Sequence, residues 1–167
     1  MKIFCNATPF IALSSIGKLD LLPALFGEVH VVDAVLEECA AGGPIPVPDL
    51  RNLPWVREIA SLPCDSLLLL ELDKGEKHTL DMAIRSGADR VIIDEKLGRG
   101  LAEYLGLKVI GTLGVLLKAK QQGLINSFSK AAYAMRQQGI HYNRGLLARL
   151  AAEVGEEYPS ASRPSGQ

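Results

Sequence analysis

An α/β fold, with helices on both sides of a central parallel sheet, is what the order of segments along this chain predicts. Short apolar, β-prone stretches alternate with amphipathic ones, the pattern of successive βα units. Most helical stretches open on Ser, Thr, Asp or Asn and stop at Gly. Arg90 to Ile93 is apolar throughout after its first residue, which suits a strand covered on both faces.

Lys2 to Cys5 reads as the first strand. Asn6-Ala7-Thr8-Pro9 then turns into a helix, with Thr8 suited to cap it, Pro9 to its first turn, and Phe10, Ile11, Leu13 and Ile16 at helical spacing. Gly17 stops it, and Leu19 to Phe26 forms a second apolar helix or turn in which Pro23 costs a kink. Val29 to Val32 is a strand, and Asp33 caps a short helix carrying Val35, Leu36 and Cys39. Ala40 to Pro54 holds two glycines and four prolines and is a surface loop. Trp55 to Ile59 resumes as an edge strand. Leu67 to Leu70 fits a buried helical turn or an inner strand equally well and serves either the core or an interface.

Asp73 to Ser86 carries Leu80, Ala83 and Ile84 on one face and stops at Gly87. The apolar strand from Arg90 follows, then a helix from Leu97 to Leu105, a strand from Lys108 to Ile110, and a helix from Leu113 to Gln122 capped by Thr112. Ser127 and Asn143 cap two more helices, ending near Gln138 and Val154. One domain over residues 1–155 accounts for this, and the Pro/Ser-rich end predicts a disordered tail over 156–167.

No apolar run approaches a membrane span and the first residues lack a signal-peptide core, so a soluble, cytoplasmic protein with no membrane partner is expected. The 3 cysteines are widely spaced and read as buried free thiols. A formal charge of −1 excludes a strongly basic surface, so nucleic-acid binding needs a local patch. The 3 histidines are scattered, arguing against a histidine metal site, and are read as solvated or capping. Neither Gly98-Arg99-Gly100 nor Gly106 to Thr112 completes a nucleotide-binding loop.

A parallel sheet delivers every strand's last residue to one edge. That edge receives Asn6, Asp94, Glu95 and Thr112, and Glu76 in the first turn of its helix can face it. Such carboxylates need a cation between them, and oxygen ligands select hard ions such as Mg²⁺ or Mn²⁺. The matching chemistry is metal-assisted attack on a phosphodiester. Lys96, Arg99, Lys108, Lys118 and Lys120 follow the acidic strand, where they track a phosphate backbone or form a solvated face. Asp73-x-x-Glu76 also reads as a capping box, and Asp94-Glu95 as a strand-to-helix turn.

Asn6-Ala-Thr-Pro-Phe-Ile-Ala-Leu, Leu72-Asp-Lys-Gly-Glu76, Val91-Ile-Ile-Asp-Glu95 with Gly98-Arg99, and Val109-Ile-Gly-Thr-Leu-Gly114 with Lys118-Ala-Lys120 occur in an order that resembles the PIN-domain nucleases. The likeness is greatest to a PIN-like branch related to the ribonucleases of toxin-antitoxin pairs. It implies a three-layer α/β/α sandwich and Mg²⁺- or Mn²⁺-dependent hydrolysis of RNA. Glu76 and Asp94 would be catalytic, and Asn6, Glu76, Asp94 and Glu95 would hold the metal. It also implies a small antitoxin-like partner and homodimerisation. Asn6 stands where the family's first acidic ligand stands; an amide oxygen coordinates without charge, so weaker cation binding and reduced cleavage are expected. The other implied function is a degenerate PIN module that binds nucleic acid or a partner protein without cutting.

Overall fold

Ile3–Cys5 (β1), Val29–Val32 (β2), Val56–Ile59 (β3), Arg90–Ile92 (β4) and Lys108–Ile110 (β5) form a 5-stranded sheet in the order β3-β2-β1-β4-β5. Every neighbouring pair is parallel. These elements come from a computed structural model that describes residues 1–159. The chain starts at the centre, moves out to β3 on one side, and returns to build β4 and β5 on the other. The strand order therefore reverses between β1 and β4, whose register pairs Cys5 with Ile92. In open α/β sheets such a reversal leaves a crevice at the strands' carboxyl ends.

The helices are Ala7–Ser15 (α1), Leu21–Phe26 (α2), Asp33–Ala40 (α3), Lys74–Arg85 (α4), Lys96–Tyr104 (α5), Thr112–Gln121 (α6), Phe128–Gln137 (α7) and Arg144–Glu153 (α8). α4 rests on β1 and β2 and meets α5, while α1 and α2 meet α6, which packs on α7 and through it on α8. With right-handed crossovers these are the two outer layers of an α/β/α sandwich. α3 touches both α1 and α4. No described helix is long and apolar enough to cross a membrane.

Burial on both sheet faces explains the apolar strands: Ile3, Phe4, Cys5, Val91 and Ile92 are all fully buried. Phe10 and Leu13 of α1 and Leu116 of α6 fill one side, and Leu80 and Ala83 of α4 the other. Cys5 and Cys39 are buried and Cys64 half-buried, all as free thiols. β3 lies at an edge, as its half-polar sequence suggests.

Several local expectations are corrected. Helix α1 begins at Ala7, so Asn6 takes the N-cap position that Thr8 was expected to fill, and its side chain makes no capping bond. Gly111 is the N-cap of α6, and Thr112 is its first helical residue. Asp33 likewise lies inside α3, where its carboxylate accepts from the N–H groups of Ala34 and Ser61 and from the Ser61 hydroxyl, tying the exit of β3 to the start of α3. Leu67–Leu69 is a single 3₁₀ turn that sends Leu69 into the core and leaves Leu67, Leu68 and Leu70 exposed. His30 is neither solvated nor a cap: it is half-buried in β2, within 3.3 Å of the Ile3 carbonyl and stacked on Phe4.

The expected tail starts too early. Glu156 accepts hydrogen bonds from the Ser127 hydroxyl and the N–H groups of Phe128 and Ser129, and Tyr158 packs against the core. Although burial pushes the Glu156 carboxyl up, those bonds and Lys120 bring it down to about 2. The remainder of the expected tail, from residue 160, lies outside the described residues.

Candidate functional site

Asn6 leaves β1 at the point where the strand order reverses, and its N–H extends the ladder by donating to the Ile92 carbonyl at 3.0 Å. The residue is 4% exposed, and its Oδ1 is buried without a hydrogen-bond partner. Leaving such an acceptor unmatched costs roughly 1–3 kcal/mol. The first turn of α4 lies against this oxygen. A Cβ on Gly75 would lie 3.7 Å from both Asn6 Oδ1 and Asp73 Oδ1, in ordinary contact, so both oxygens face this residue.

The same turn carries the buried carboxylate. Asp73 caps α4 by accepting from the Glu76 N–H at 2.9 Å, so the capping reading holds for Asp73. Glu76 itself is 8% exposed. Burial, then the charges of Asp73, Glu95 and Glu38, push its carboxyl up to about 7, against a smaller downward pull from the Asp73 N–H. Glu38, at the end of α3, is pushed up by partial desolvation and then by Asp73. Asp73, Glu95 and Glu38 thus lie within electrostatic reach of the Glu76 carboxyl, and Asp73 Oδ1 and the unpartnered Asn6 Oδ1 both face Gly75.

Of the residues singled out from the sequence, Asn6, Glu76 and Glu95 converge here. Glu38 and Asp73 also act on Glu76, although Glu38 carries no local sequence signal and Asp73 reads from the sequence only as a cap. The available signal was topological: α3 leaves β2 at this same edge.

Asp94 also reaches the edge but is already engaged. Thr112 donates to it twice, from N–H to Oδ1 and from the hydroxyl to Oδ2, each at 2.7 Å. The Tyr142 hydroxyl donates to Oδ2 at 3.2 Å. A Cβ on Gly111 would lie 2.9 Å from Asp94 Oδ1, so a side chain there would disturb this contact. Tyr142 is a partner that spacing could not reveal, 48 residues away in the chain. Burial and the Asp94 charge drive its phenol well above the usual range.

The basic residues divide. Lys96 and Arg99 border a cleft of about 730 Å³ that opens beside Asp94, and Arg99 also donates to the Ile93 carbonyl at 3.4 Å. Lys118 and Lys120 lie in the last turn of α6, roughly 9–12 Å along the helix from Thr112 at 1.5 Å per residue. Lys120 is committed there to the Asn126 carbonyl at 2.6 Å and to Glu156 at 3.5 Å, which corrects its expected place beside the acidic edge.

Among the described residues, no three Asp, Glu, His or Cys side chains close into a ready-made metal cage. The donor set at the edge is nonetheless all oxygen: one orphaned amide carbonyl, one buried carboxylate and several more at its rim. That fits a hard cation of the Mg²⁺ type, which keeps several waters and takes only one or two protein carboxylates. A cation would also satisfy Asn6 Oδ1 and relieve the repulsion around Glu76.

Searches of curated proteins and of solved structures returned no match. A family model described as a PIN domain matches residues 2–156, almost the whole described chain. With its all-parallel sheet, its α/β/α layers and that match, the chain belongs to the PIN-domain family.

Proposed function

We propose that this protein hydrolyses phosphodiester bonds in RNA with the help of Mg²⁺ or Mn²⁺, at the edge where β1 and β4 end. The observation that carries this reading is the buried Glu76 carboxylate, held near neutrality, in the acidic cluster beside the unpartnered Asn6 oxygen at the sheet's switch point. Family membership supports a nuclease-like fold and nucleic acid as the partner.

Asn6, Glu76, Asp94 and Glu95 are the oxygens we assign to the cation, with Glu76 and Asp94 as the catalytic pair. A bound cation would supply a more acidic water and stabilise charge developing on the phosphate. The chain's own groups prepare the edge for it. Thr112 and Tyr142 fix the orientation of Asp94. With its carboxyl pushed up to about 7, Glu76 is close to evenly divided between its protonated and ionised forms near neutral pH, and approaching positive charge would favour the ionised form. Lys96 and Arg99 stand where they can meet phosphates flanking the cleaved bond.

One observation favours a second reading, a PIN module that binds RNA or an antitoxin-like protein without cutting. The innermost oxygen, Asn6 Oδ1, is neutral, and a neutral ligand holds a divalent ion less well than a carboxylate. Incubating labelled RNA with the purified protein and Mn²⁺, beside Asp94→Asn, Glu76→Gln and Asn6→Asp, separates the two. Slow cleavage by the parent, lost in the first two variants and accelerated in the third, is expected. Cleavage by Asn6→Asp alone favours the second reading, and cleavage that survives both Asp94→Asn and Glu76→Gln contradicts the assigned site.

A further inference from the structure

We propose that Tyr142 is a positioning residue that limits Asp94 to one free oxygen lone pair and so biases the acidic edge toward Mg²⁺ or Mn²⁺ and against Ca²⁺; this rests on the assignment of Asp94 to a cation above. An ionised carboxylate accepts at about four lone pairs, two on each oxygen. Three of those on Asp94 are filled from within the chain: one on Oδ1 by the Thr112 N–H, and both on Oδ2 by the hydroxyls of Thr112 and Tyr142. Oδ2 is therefore saturated, and one lone pair is left on Oδ1. Arg99 Nη1 approaches Oδ1 across Gly111, yet among the described residues no Lys or Arg nitrogen comes within 4 Å of an Asp94 oxygen.

Tyr142 is itself anchored. It lies in the connection from α7 to α8, its ring packs against the core, and the next residue, Asn143, caps α8 by accepting from the Leu146 N–H at 2.9 Å. From this segment its hydroxyl reaches Asp94 Oδ2 at 3.2 Å, so the two C-terminal helices take part in setting the carboxylate. Ligand number then separates the cations. Ca²⁺ gathers about six to eight oxygens and readily takes a carboxylate by both oxygens at once, whereas Mg²⁺ demands a near-ideal octahedron, keeps several waters and uses one or two carboxylates. Mn²⁺ shares the octahedral preference. Two-oxygen binding needs a lone pair from Oδ1 and another from Oδ2, and Oδ2 has none to give. Only one-oxygen binding through Oδ1 stays open.

The test titrates Mn²⁺ and Ca²⁺ separately into the full chain by calorimetry, for the parent, Tyr142→Phe and Thr112→Val, and for each of the three again with Asn6→Asp, where the cation is expected to bind more tightly. Tyr142→Phe keeps the ring and Thr112→Val keeps the N–H bond, and each frees one lone pair on Oδ2. Thermal melts in chelator identify the variants that fold. The parent is expected to bind Mn²⁺ more tightly than Ca²⁺. Each variant should lose Mn²⁺ affinity roughly tenfold or more, as when a hydrogen-bond partner of a metal-binding carboxylate is removed. Ca²⁺ affinity should hold or rise, so the Mn²⁺-to-Ca²⁺ ratio falls in both.

A constant ratio in the folded variants, whether both ions bind as before or both weaken equally, leaves Tyr142 a merely structural role and overturns the inference while the cleavage reading stands. A parent that binds Ca²⁺ as tightly as Mn²⁺ overturns it as well, whatever the variants do. Failure of the cleavage reading would show separately, as absence of both Mn²⁺ binding and RNA cutting in the parent and in Asn6→Asp, and it would remove this inference with it.

Discussion

Glu76 illustrates how one side chain can report on a site. Its carboxyl lies above the ordinary glutamate range because it is buried among other carboxylates, so the folded state binds more protons than the unfolded chain between about pH 4.5 and 7. Stability in chelator should therefore fall as pH rises through that window. Glu76→Gln removes the ionisation, and thermal melts at pH 5 and pH 8 should show a smaller pH dependence than the parent with a higher midpoint at pH 8. A parental slope retained in the variant would show that Glu76 is not the group responsible. Asp94 is governed by hydrogen bonds instead. Thr112→Val removes the hydroxyl bond and keeps the N–H bond, at a cost of roughly 1.5–3 kcal/mol by chemical denaturation, as for bonds to charged groups. The sequence marked Glu76 and Asp94 as acids near one edge. It could not reveal that Tyr142 reaches Asp94, or that Glu38 shares the field of Glu76, because neither relation has a local spacing.

At the scale of elements, the segments that were legible are those whose burial and termination are both local. β1 and β4 are apolar because both faces are covered, and glycines in left-handed geometry follow α4, α5 and α6. Leu67 to Leu70 was ambiguous because four leucines satisfy every period, whereas only packing determines that Leu69 alone turns inward. Leu69→Ala should cost about 2–5 kcal/mol in chemical denaturation, while Leu67→Ser should stay within about 0.5 kcal/mol. Lys120 and the chain end depart from the sequence expectation together, since both depend on Glu156 reaching the start of α7 from 29 residues away. The Glu156 carboxyl is lower in the folded protein than in the unfolded chain, so its contribution is complete above about pH 4.5 and fades as pH falls toward about 2. Glu156→Gln should lower the melting temperature at pH 7, and the difference from the parent should shrink at pH 3.

For the whole molecule, the reversal of strand order does what no single motif does: it brings residue 6, which lies against the first turn of α4, to the edge where residues 94 and 95 emerge. On the proposed assignment, that convergence of distant segments makes the acidic stretch from Leu72 to Lys96 an incomplete site alone, with Asn6 as its neutral member. Anything that binds only the folded edge must also stabilise the fold by mass action, so Mn²⁺ should raise the parent's melting temperature, and less so for Glu76→Gln. The most direct test of a cation-binding edge whose strength is limited by Asn6 is calorimetric titration of Mn²⁺ into the parent, Glu76→Gln and Asn6→Asp. Weak binding by the parent, no binding by Glu76→Gln and at least tenfold tighter binding by Asn6→Asp, as expected for a charged ligand replacing a neutral one, is the predicted result. Mn²⁺ heats that are the same in all three proteins, or absent in all three, would contradict it.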